Sequence, residues 1–235
     1  MPDASPRLIP LWLKVAYTTF VAILIPVYLK NYGPTNFLYF CDVALLMTVA
    51  AIWLESPLLA SAALVGIFTP QMLWVIDFFC ESANRLGLFA PPGRQVAGLT
   101  GYMFEPPFFL RFLSFFHFWL PFLLLYLVWR VGYDKRGVLL WTVIAWALVT
   151  ICYAYMPPPS PSKDPAATGA MLRDANQPVN INYVYGLEGD EKAQTSIDPD
   201  TYVALYLLAL VCGIFIPTHY LCAWLLPGPR KPSDA

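Results

Sequence analysis

Apolar residues fill six long stretches of the chain, and polar residues gather in the intervals between them. A helix that crosses a membrane needs about 20 mostly apolar residues, and the hydropathy pattern predicts six such helices. They lie near residues 9–29, 36–54, 57–79, 107–130, 137–156 and 201–226. The predicted fold is therefore an all-α, polytopic membrane helical bundle that forms a single transmembrane domain over residues 1–235.

Two of the polar intervals are long. Residues 81–106 contain Pro91-Pro92-Gly93 and are too polar and too broken to span a membrane, which predicts a loop. Residues 157–199 are rich in proline at their start and carry more acidic than basic residues, which predicts a long acidic loop outside the membrane. Within this loop, residues 180–186 have the composition of an ordered strand or a lid.

Composition agrees with a membrane protein and excludes one class of partner. Hydrophobic residues make up 58% of the chain and charged residues 12%, whereas an average soluble domain is about 25% charged. The formal net charge is −1 at pH 7. Because a nucleic-acid-binding protein presents a basic surface, we expect no nucleic-acid partner.

The distribution of basic residues predicts the orientation. Six crossings place both termini on one side of the membrane, together with the second and fourth turns between helices. These short segments carry most of the basic residues that count toward orientation, namely Arg7, Lys14, Arg130, Lys135, Arg136, Arg230 and Lys231. The positive-inside rule then predicts both termini inside. The 157–199 loop would lie outside, on the periplasmic face of a bacterial inner membrane.

The second apolar stretch contains a thiol and a carboxylate side by side, Cys41 and Asp42. An ionisable residue within a spanning helix costs roughly 2.5–3.5 kcal/mol on insertion scales, so it usually faces the protein interior and has a function. The fourth stretch contains Arg111, Ser114 and His117, whose spacing of three places them on one stripe of a helix. Two polar stripes in apolar helices raise the question of whether they meet.

Further polar residues lie near the same predicted side of the membrane. Gln71 and Asp77 follow Pro70 in the third stretch, toward its outer end. With alternating helix directions, the polar residues of the second, third and fourth stretches all fall in outer halves. We therefore predict an outward-facing polar cavity formed by Cys41, Asp42, Gln71, Asp77, Arg111, Ser114 and His117.

The candidate chemistry of this cavity is nucleophilic. A cysteine thiol is weakly ionised near neutral pH and needs a base to accept its proton, and His117 is the candidate base for Cys41. A structural interpretation stands beside this one for each residue. Cys41 is also a small packing residue, Asp42 a hydrogen-bonded carboxylate paired with Arg111, and His117 a satisfied core histidine.

A metal or a cofactor is not predicted. The five cysteines include no CxxC pair, and the chain has only two histidines, which argues against a zinc site. One alternative is that His117 and His219 together bind a haem, although their predicted depths differ by about 10 Å.

Four short motifs of the chain are similar to motifs of one known family. Leu38-Tyr39-Phe40-Cys41-Asp42, Thr69-Pro70, the aromatic-flanked His117 and Asn182-Tyr183 occur here in the order that they have there. In these features the chain resembles the YwaF-like integral membrane proteins, a six-helix group. That group includes a vertebrate phospholipid acyltransferase proposed to use a cysteine of the second helix and a histidine of the fourth. The resemblance implies the same roles for Cys41 and His117.

Two functions follow as predictions. The first is a lipid acyltransferase or acyl hydrolase that uses Cys41 and His117, with membrane lipids as its partners. The second is a non-catalytic accessory subunit of a larger membrane complex, which docks on other membrane subunits through its aromatic helices and the 157–199 loop.

Overall fold

The computed structural model describes residues 8–88, 100–104, 107–156, 158–159, 178–187 and 193–229. This part of the chain is helical and contains no strand. Five of its helical stretches are long and apolar enough to cross a membrane, which fits a multi-pass membrane protein. The helices, in chain order, are α1 (Leu11–Tyr32), α2 (Phe40–Leu54), α3 (Pro57–Arg85), α4 (Phe108–Ser114), α5 (Phe116–Val131), α6 (Gly137–Tyr155), α7 (Pro199–Leu210) and α8 (Ile216–Leu225).

The second and third predicted stretches differ in length from the helices that form. Helix α2 has 15 residues and follows a 3-10 turn over Pro34–Leu38, so the α-helix itself spans only about 22 Å. Helix α3 has 29 residues and continues through Pro70 to Arg85. The prediction that residues 81–85 belong to a loop was therefore wrong. The salt bridge between Glu81 and Arg85, one turn apart, stabilises this last part of the helix.

The last predicted stretch is one apolar segment with an irregular middle. A π-helical turn over Val211–Phe215 joins α7 to α8. Pro217 has no amide hydrogen to donate to the carbonyl of Gly213, which lies in that turn. A wider turn at such a position accommodates the missing bond.

Helix α3 is the centre of the bundle and packs against α2, α5 and α6. Its first half buries small residues, and Ala60, Ser61, Ala62 and Ala63 are at most 1% exposed. A side chain at Gly66 would overlap the buried indole ring of Trp141. Small residues at this surface let the neighbouring helices approach closely, as is usual in membrane bundles.

One end of the bundle is held together around Glu55, and we call it the Glu55 end. The carboxylate of Glu55 accepts a hydrogen bond from Lys14 Nζ at 2.8 Å and from the amides of Leu8 and Ile9 at 3.0 and 3.2 Å. Partial burial alone would raise the pKa of this carboxyl, but the three hydrogen bonds and the Lys14 charge outweigh it and lower the pKa. The start of the described chain is thereby fixed to the α2–α3 turn.

The α5–α6 turn and the end of α8 complete the Glu55 end. The amide of Asp134 donates to Ser61 Oγ at 2.9 Å, and the Asp134 carboxylate forms a salt bridge with Arg136 at 2.7 Å. That salt bridge lowers the pKa of Asp134. The amide of Tyr133 donates to the carbonyl of Pro227 at 2.6 Å.

The opposite end contains the 3-10 turns over Pro34–Leu38, Gly101–Phe104 and Ile181–Tyr183. We call it the Asn182 end. Residues 178–187 form a compact turn here, so of the two predictions for residues 180–186, a strand or a lid, the strand was wrong. Within the predicted acidic loop, residues 157, 160–177 and 188–192 lie outside the described residues, as does Pro91-Pro92-Gly93.

Candidate functional site

Helix α2 begins beneath a residue that is distant in sequence. The Asn182 side chain accepts a hydrogen bond from the Phe40 amide at 3.0 Å and donates one to the carbonyl of Leu38 at 2.8 Å. The first amides of a helix have no partner within the helix, and a local side chain usually caps them. Here the cap comes from the turn after α6, so that turn is fixed over the start of α2.

The capping turn adopts an uncommon backbone conformation. Asn180, Asn182 and Tyr183 have φ angles of 51°, 56° and 58°. Asparagine tolerates this left-handed region better than most residues, whereas tyrosine does so rarely. Hydrogen bonds of Tyr185 Oη to the carbonyls of Tyr153 and Met156, at 3.1 and 2.7 Å, tie the turn to the end of α6.

Cys41 and Asp42 lie in the first turn of α2, directly below this cap. Asp42 is 2% exposed. Its Oδ2 accepts a hydrogen bond from Asn36 Nδ2 at 3.2 Å and lies 3.9 Å from the Cys41 thiol. Its Oδ1 is buried and has no hydrogen-bond partner in the described part of the chain. The site therefore has a carboxylate oxygen available to accept a hydrogen bond.

His117 lies in the first turn of α5, with its ring stacked near Trp74 and Phe116 at centroid distances of 5.3 and 4.1 Å. Its Nδ1 is 2.7 Å from the carbonyl oxygen of Ser114. A carbonyl oxygen only accepts hydrogen bonds, so Nδ1 carries the proton and Nε2 of the neutral ring is an acceptor. This tautomer is the one that a general base acting through Nε2 requires.

Tyr28 links the surroundings of these two sites. Its hydroxyl is 2.7 Å from Ser114 Oγ, and its ring lies 6.4 Å from that of Phe37, just before α2. No hydrogen bond between described residues joins Cys41 or Asp42 to His117. The structure therefore brings Ser114 and His117 together, and Cys41 and Asp42 together, and Tyr28 contacts Ser114 of the first pair and Phe37 near the second.

Gln71 and Asp77 lie on α3 in different surroundings. Asp77 Oδ2 accepts hydrogen bonds from the amide and the hydroxyl of Thr100, at 2.9 and 2.8 Å. Gln71 is 3% exposed, and neither atom of its amide has a hydrogen-bond partner among the residues described. Asp77 thus holds Thr100 against α3, whereas Gln71 keeps its full capacity to donate and accept.

Arg111 is separate from Cys41 and Asp42. It lines a pocket of about 230 Å³ whose other walls are Phe78, Met103, Phe104, Phe108, Phe112 and Phe115. An ion pair between Asp42 and Arg111 is not formed in the described structure. Arg111 therefore lies at an aromatic pocket and does not neutralise the buried carboxylate.

Some residues of this region were not predicted from the sequence. Glu81 is 5% exposed and pairs with Arg85 at 2.9 Å; its position four residues after Asp77 and four before Arg85 is the signal that identifies it. Tyr28 gave no such signal, because a tyrosine near a helix end is common in any membrane protein.

A metal or haem site does not emerge from these positions. The described residues contain no group of three or more His, Cys, Asp or Glu side chains placed to hold a metal ion. His219 Nδ1 is 2.8 Å from Tyr133 Oη, just beyond the last turn of α5, whereas His117 is in the first turn of that helix. The two histidines therefore lie near opposite ends of α5, which is inconsistent with one haem between them.

Comparison with known proteins gave no relative: no protein-family model, no curated protein and no solved structure matches the chain. Kinship with the YwaF-like family accordingly stays a prediction that rests on the motifs themselves.

Proposed function

We propose that the chain crosses a bacterial inner membrane six times, with both termini inside. In this proposal α2 and the 3-10 turn before it make the sixth crossing, in addition to the five long apolar stretches. Support comes from the contacts at each end, because Leu8, Glu55, Tyr133 and Pro227 all belong to the Glu55 end. The Asn182 end and the 157–199 loop then face the periplasm.

We further propose that the protein transfers or hydrolyses an acyl group of a membrane lipid, with Cys41 as nucleophile and His117 as base. The observation that carries this proposal is the 2.7 Å distance from His117 Nδ1 to the Ser114 carbonyl oxygen, from which we infer that Nδ1 carries the proton. That bond leaves Nε2 as a proton acceptor in the same half of the bundle as the thiol. Asp42 Oδ1 adds an acceptor for a hydroxyl group of the substrate.

The proposed reaction has two steps. Cys41 Sγ attacks the acyl carbonyl and forms a thioester, the thiol proton passes to His117 Nε2, and that proton leaves with the alcohol as the ester C–O bond breaks. A second hydroxyl, of water or of an acceptor lipid, then attacks the thioester with His117 again as base. The thiol is regenerated, so the cycle needs no oxidant or reductant.

Labelling in membranes tests this proposal. A lipid probe with a reactive acyl group should label the wild-type chain and Cys80→Ala, the control for a cysteine of α3. Cys41→Ala should lose the label, and His117→Ala should lower the labelling rate by about 100-fold. Equal labelling of the wild-type chain and Cys41→Ala would contradict the nucleophilic role.

The distance that the first step requires has its own test. A His117→Cys variant, in a chain whose other cysteines except Cys41 are replaced by serine, should form a disulfide with Cys41 on mild oxidation if the two positions approach each other. Absence of the disulfide, with wild-type folding, would argue against direct proton transfer between the two residues.

The accessory-subunit function remains as a second proposal, and the exposed surface of α7 and α8 favours it. Only 22% of the residues in the most apolar part of Pro199–Leu225 are buried. Trp224 and Tyr220 in this segment are 81% and 68% exposed. Large aromatic residues at such positions suit contact with another membrane protein as well as with lipid. Purification from native membranes in mild detergent should then yield a stoichiometric complex, and a chain that elutes alone would contradict it.

A further inference from the structure

The pocket around Arg111 opens toward the surface of the bundle and not into its interior. Two of its phenylalanine walls, Phe108 and Phe112, are 76% and 60% exposed. Arg111 lies about 5 Å along the axis from the start of α4, which is comparable to the thickness of the headgroup layer on each side of a bilayer, about 5–7 Å. The pocket thus combines exposed apolar walls with the Arg111 side chain near the start of α4. In the membrane orientation proposed above, this position corresponds to the headgroup layer.

Two arginines adjoin this pocket, and they differ in their charge balance. The Arg85 guanidinium bonds Glu81 at 2.9 Å and lies 4.1 Å from the centroid of the Phe104 ring, so its charge is compensated. Arg111 forms no hydrogen bond or ion pair with any residue that the structure describes, and its Nε is buried. An uncompensated cation beside apolar walls is costly, and an anion in the pocket would offset that cost.

A second groove lies on the other face of α4. Lys30 and Asn31 line it together with Phe109 and Leu110, and its volume is about 450 Å³. Lys30 takes part in no ion pair within the described part of the chain. Both faces of α4 therefore place a cation without an ion-pair partner among the described residues next to apolar surface, at the same end of the bundle.

We propose that the Arg111 pocket binds the phosphate group of an anionic phospholipid, with the acyl chain of that lipid along the phenylalanine walls. A guanidinium suits phosphate because it donates two parallel hydrogen bonds. A lipid with net negative charge neutralises Arg111, whereas a zwitterionic lipid brings an ammonium group of its own into the same apolar surroundings. The pocket therefore selects phosphatidylglycerol over phosphatidylcholine. This inference is independent of the proposed acyl chemistry.

Lipid retention by the full-length chain tests the inference. We expect native mass spectrometry of the wild-type chain in mild detergent to show one bound phosphatidylglycerol, with about tenfold weaker retention in Arg111→Gln. Arg111→Lys keeps the charge but not the planar fork, so it should lie between the two. Arg130→Gln is the matched control. Arg130 is half-buried like Arg111 but lies in the last turn of α5, at the opposite end of the bundle, so this variant should retain the lipid as the wild type does.

Thermal unfolding provides the second measurement. Phosphatidylglycerol should raise the melting temperature of the wild-type chain and of Cys41→Ala, and should have a much smaller effect on Arg111→Gln. Equal stabilisation by phosphatidylcholine, or equal retention of phosphatidylglycerol by Arg111→Gln and wild type, would overturn the assignment. Equal stabilisation by inorganic phosphate alone would show a free-anion site and would also overturn it.

Discussion

The Glu55 end and the Asn182 end of the bundle contrast in how their buried polar groups are satisfied. At the Glu55 end, Lys14 and Glu55 form an ion pair at 2.8 Å, and the backbone amides of Leu8 and Ile9 also donate hydrogen bonds to the Glu55 carboxylate. At the Asn182 end, Asp42 Oδ1, both amide atoms of Gln71 and Arg111 Nε are buried without a hydrogen-bond partner among the described residues.

The Glu55 end therefore contributes to stability, whereas the Asn182 end has polar groups that are able to bind a ligand. A buried polar group without a partner costs about 1–3 kcal/mol, and more where no water is near. Several such side chains lie at this end, since Thr35 of the 3-10 turn also has a buried hydroxyl without a partner among the described residues. A chain selected for stability alone would replace them, and we interpret them as a feature of binding. The satisfied Glu55 end supplies the rigid support.

The largest expected effect is at the Glu55 end. Glu55→Gln removes the negative partner of Lys14, which is 5% exposed, and leaves a buried cation without compensation. We expect a loss of about 2–3 kcal/mol of unfolding free energy, or about 5–10 °C in melting temperature for a chain of this size. Thermal unfolding in mild detergent measures it.

A double variant separates the ion pair from the fold. In Lys14→Met, Glu55→Gln no buried charge remains, so part of the loss should be recovered. If the double variant melts below both single variants, the ion pair is not the cause of the first effect.

The capping turn at the Asn182 end should have a smaller effect. Asn182→Ala removes the partners of the Phe40 amide and the Leu38 carbonyl and places alanine at a φ of 56°, at an expected cost of about 2 kcal/mol. Asn182→Gly removes the same side chain but tolerates this φ, so it should cost about 1 kcal/mol. Thermal unfolding of both variants measures the difference.

Cysteine reactivity in the same variants tests whether the turn covers Cys41. Loss of the cap should expose the first turn of α2 and raise the rate at which a thiol reagent modifies Cys41, with Cys41→Ser as the control that assigns the signal. Similar rates in the wild-type chain and in Asn182→Gly would show that the turn does not protect the thiol.

Acid should weaken the Glu55 end specifically. The pKa of Glu55 is below its ordinary value of 4.5 in the folded chain, so its stabilising effect is full above about pH 4.5 and is lost as the pH falls through the lowered pKa. The lowered pKa of Asp134 also makes the fold less stable in acid. Its partner Arg136 is 77% exposed at the side chain, so this salt bridge contributes little to the pH dependence of stability. The melting temperature should fall between pH 5 and pH 3, and Glu55→Gln should flatten that curve. An unchanged slope in this variant would exclude Glu55 as the source.

The smallest effect on stability is expected for Asp42→Asn. The amide oxygen still accepts the hydrogen bond of Asn36, and the variant removes a buried carboxylate that has one unpartnered oxygen. We expect a change of less than about 1 kcal/mol, in either direction. A loss as large as that of Glu55→Gln would mean that Asp42 is a structural residue and would remove the contrast between the two ends.

Several features of the site followed from local sequence. Cys41 and Asp42 are adjacent, so their proximity was predictable from the sequence. Ser114 and His117 were predicted to share one stripe of a continuous helix, but α4 ends at Ser114, and the two residues meet through His117 Nδ1 and the Ser114 carbonyl. The hydrogen-bond partners that determine the chemistry of these residues were not predictable from the sequence. The tautomer of His117 depends on a backbone carbonyl that becomes available where α4 ends and α5 begins, and no hydrophobic pattern marks that break.

The sequence alone determined that this chain has several long apolar helices, because helix length and hydrophobicity are set by composition within a single stretch. Only the tertiary structure decided which polar side chains acquire partners. Asn182 caps a helix that begins 142 residues earlier, and Tyr28 reaches Ser114 across 86 residues. Contacts between such distant residues depend on how the helices pack, since packing brings together side chains whose spacing in the sequence carries no information about one another.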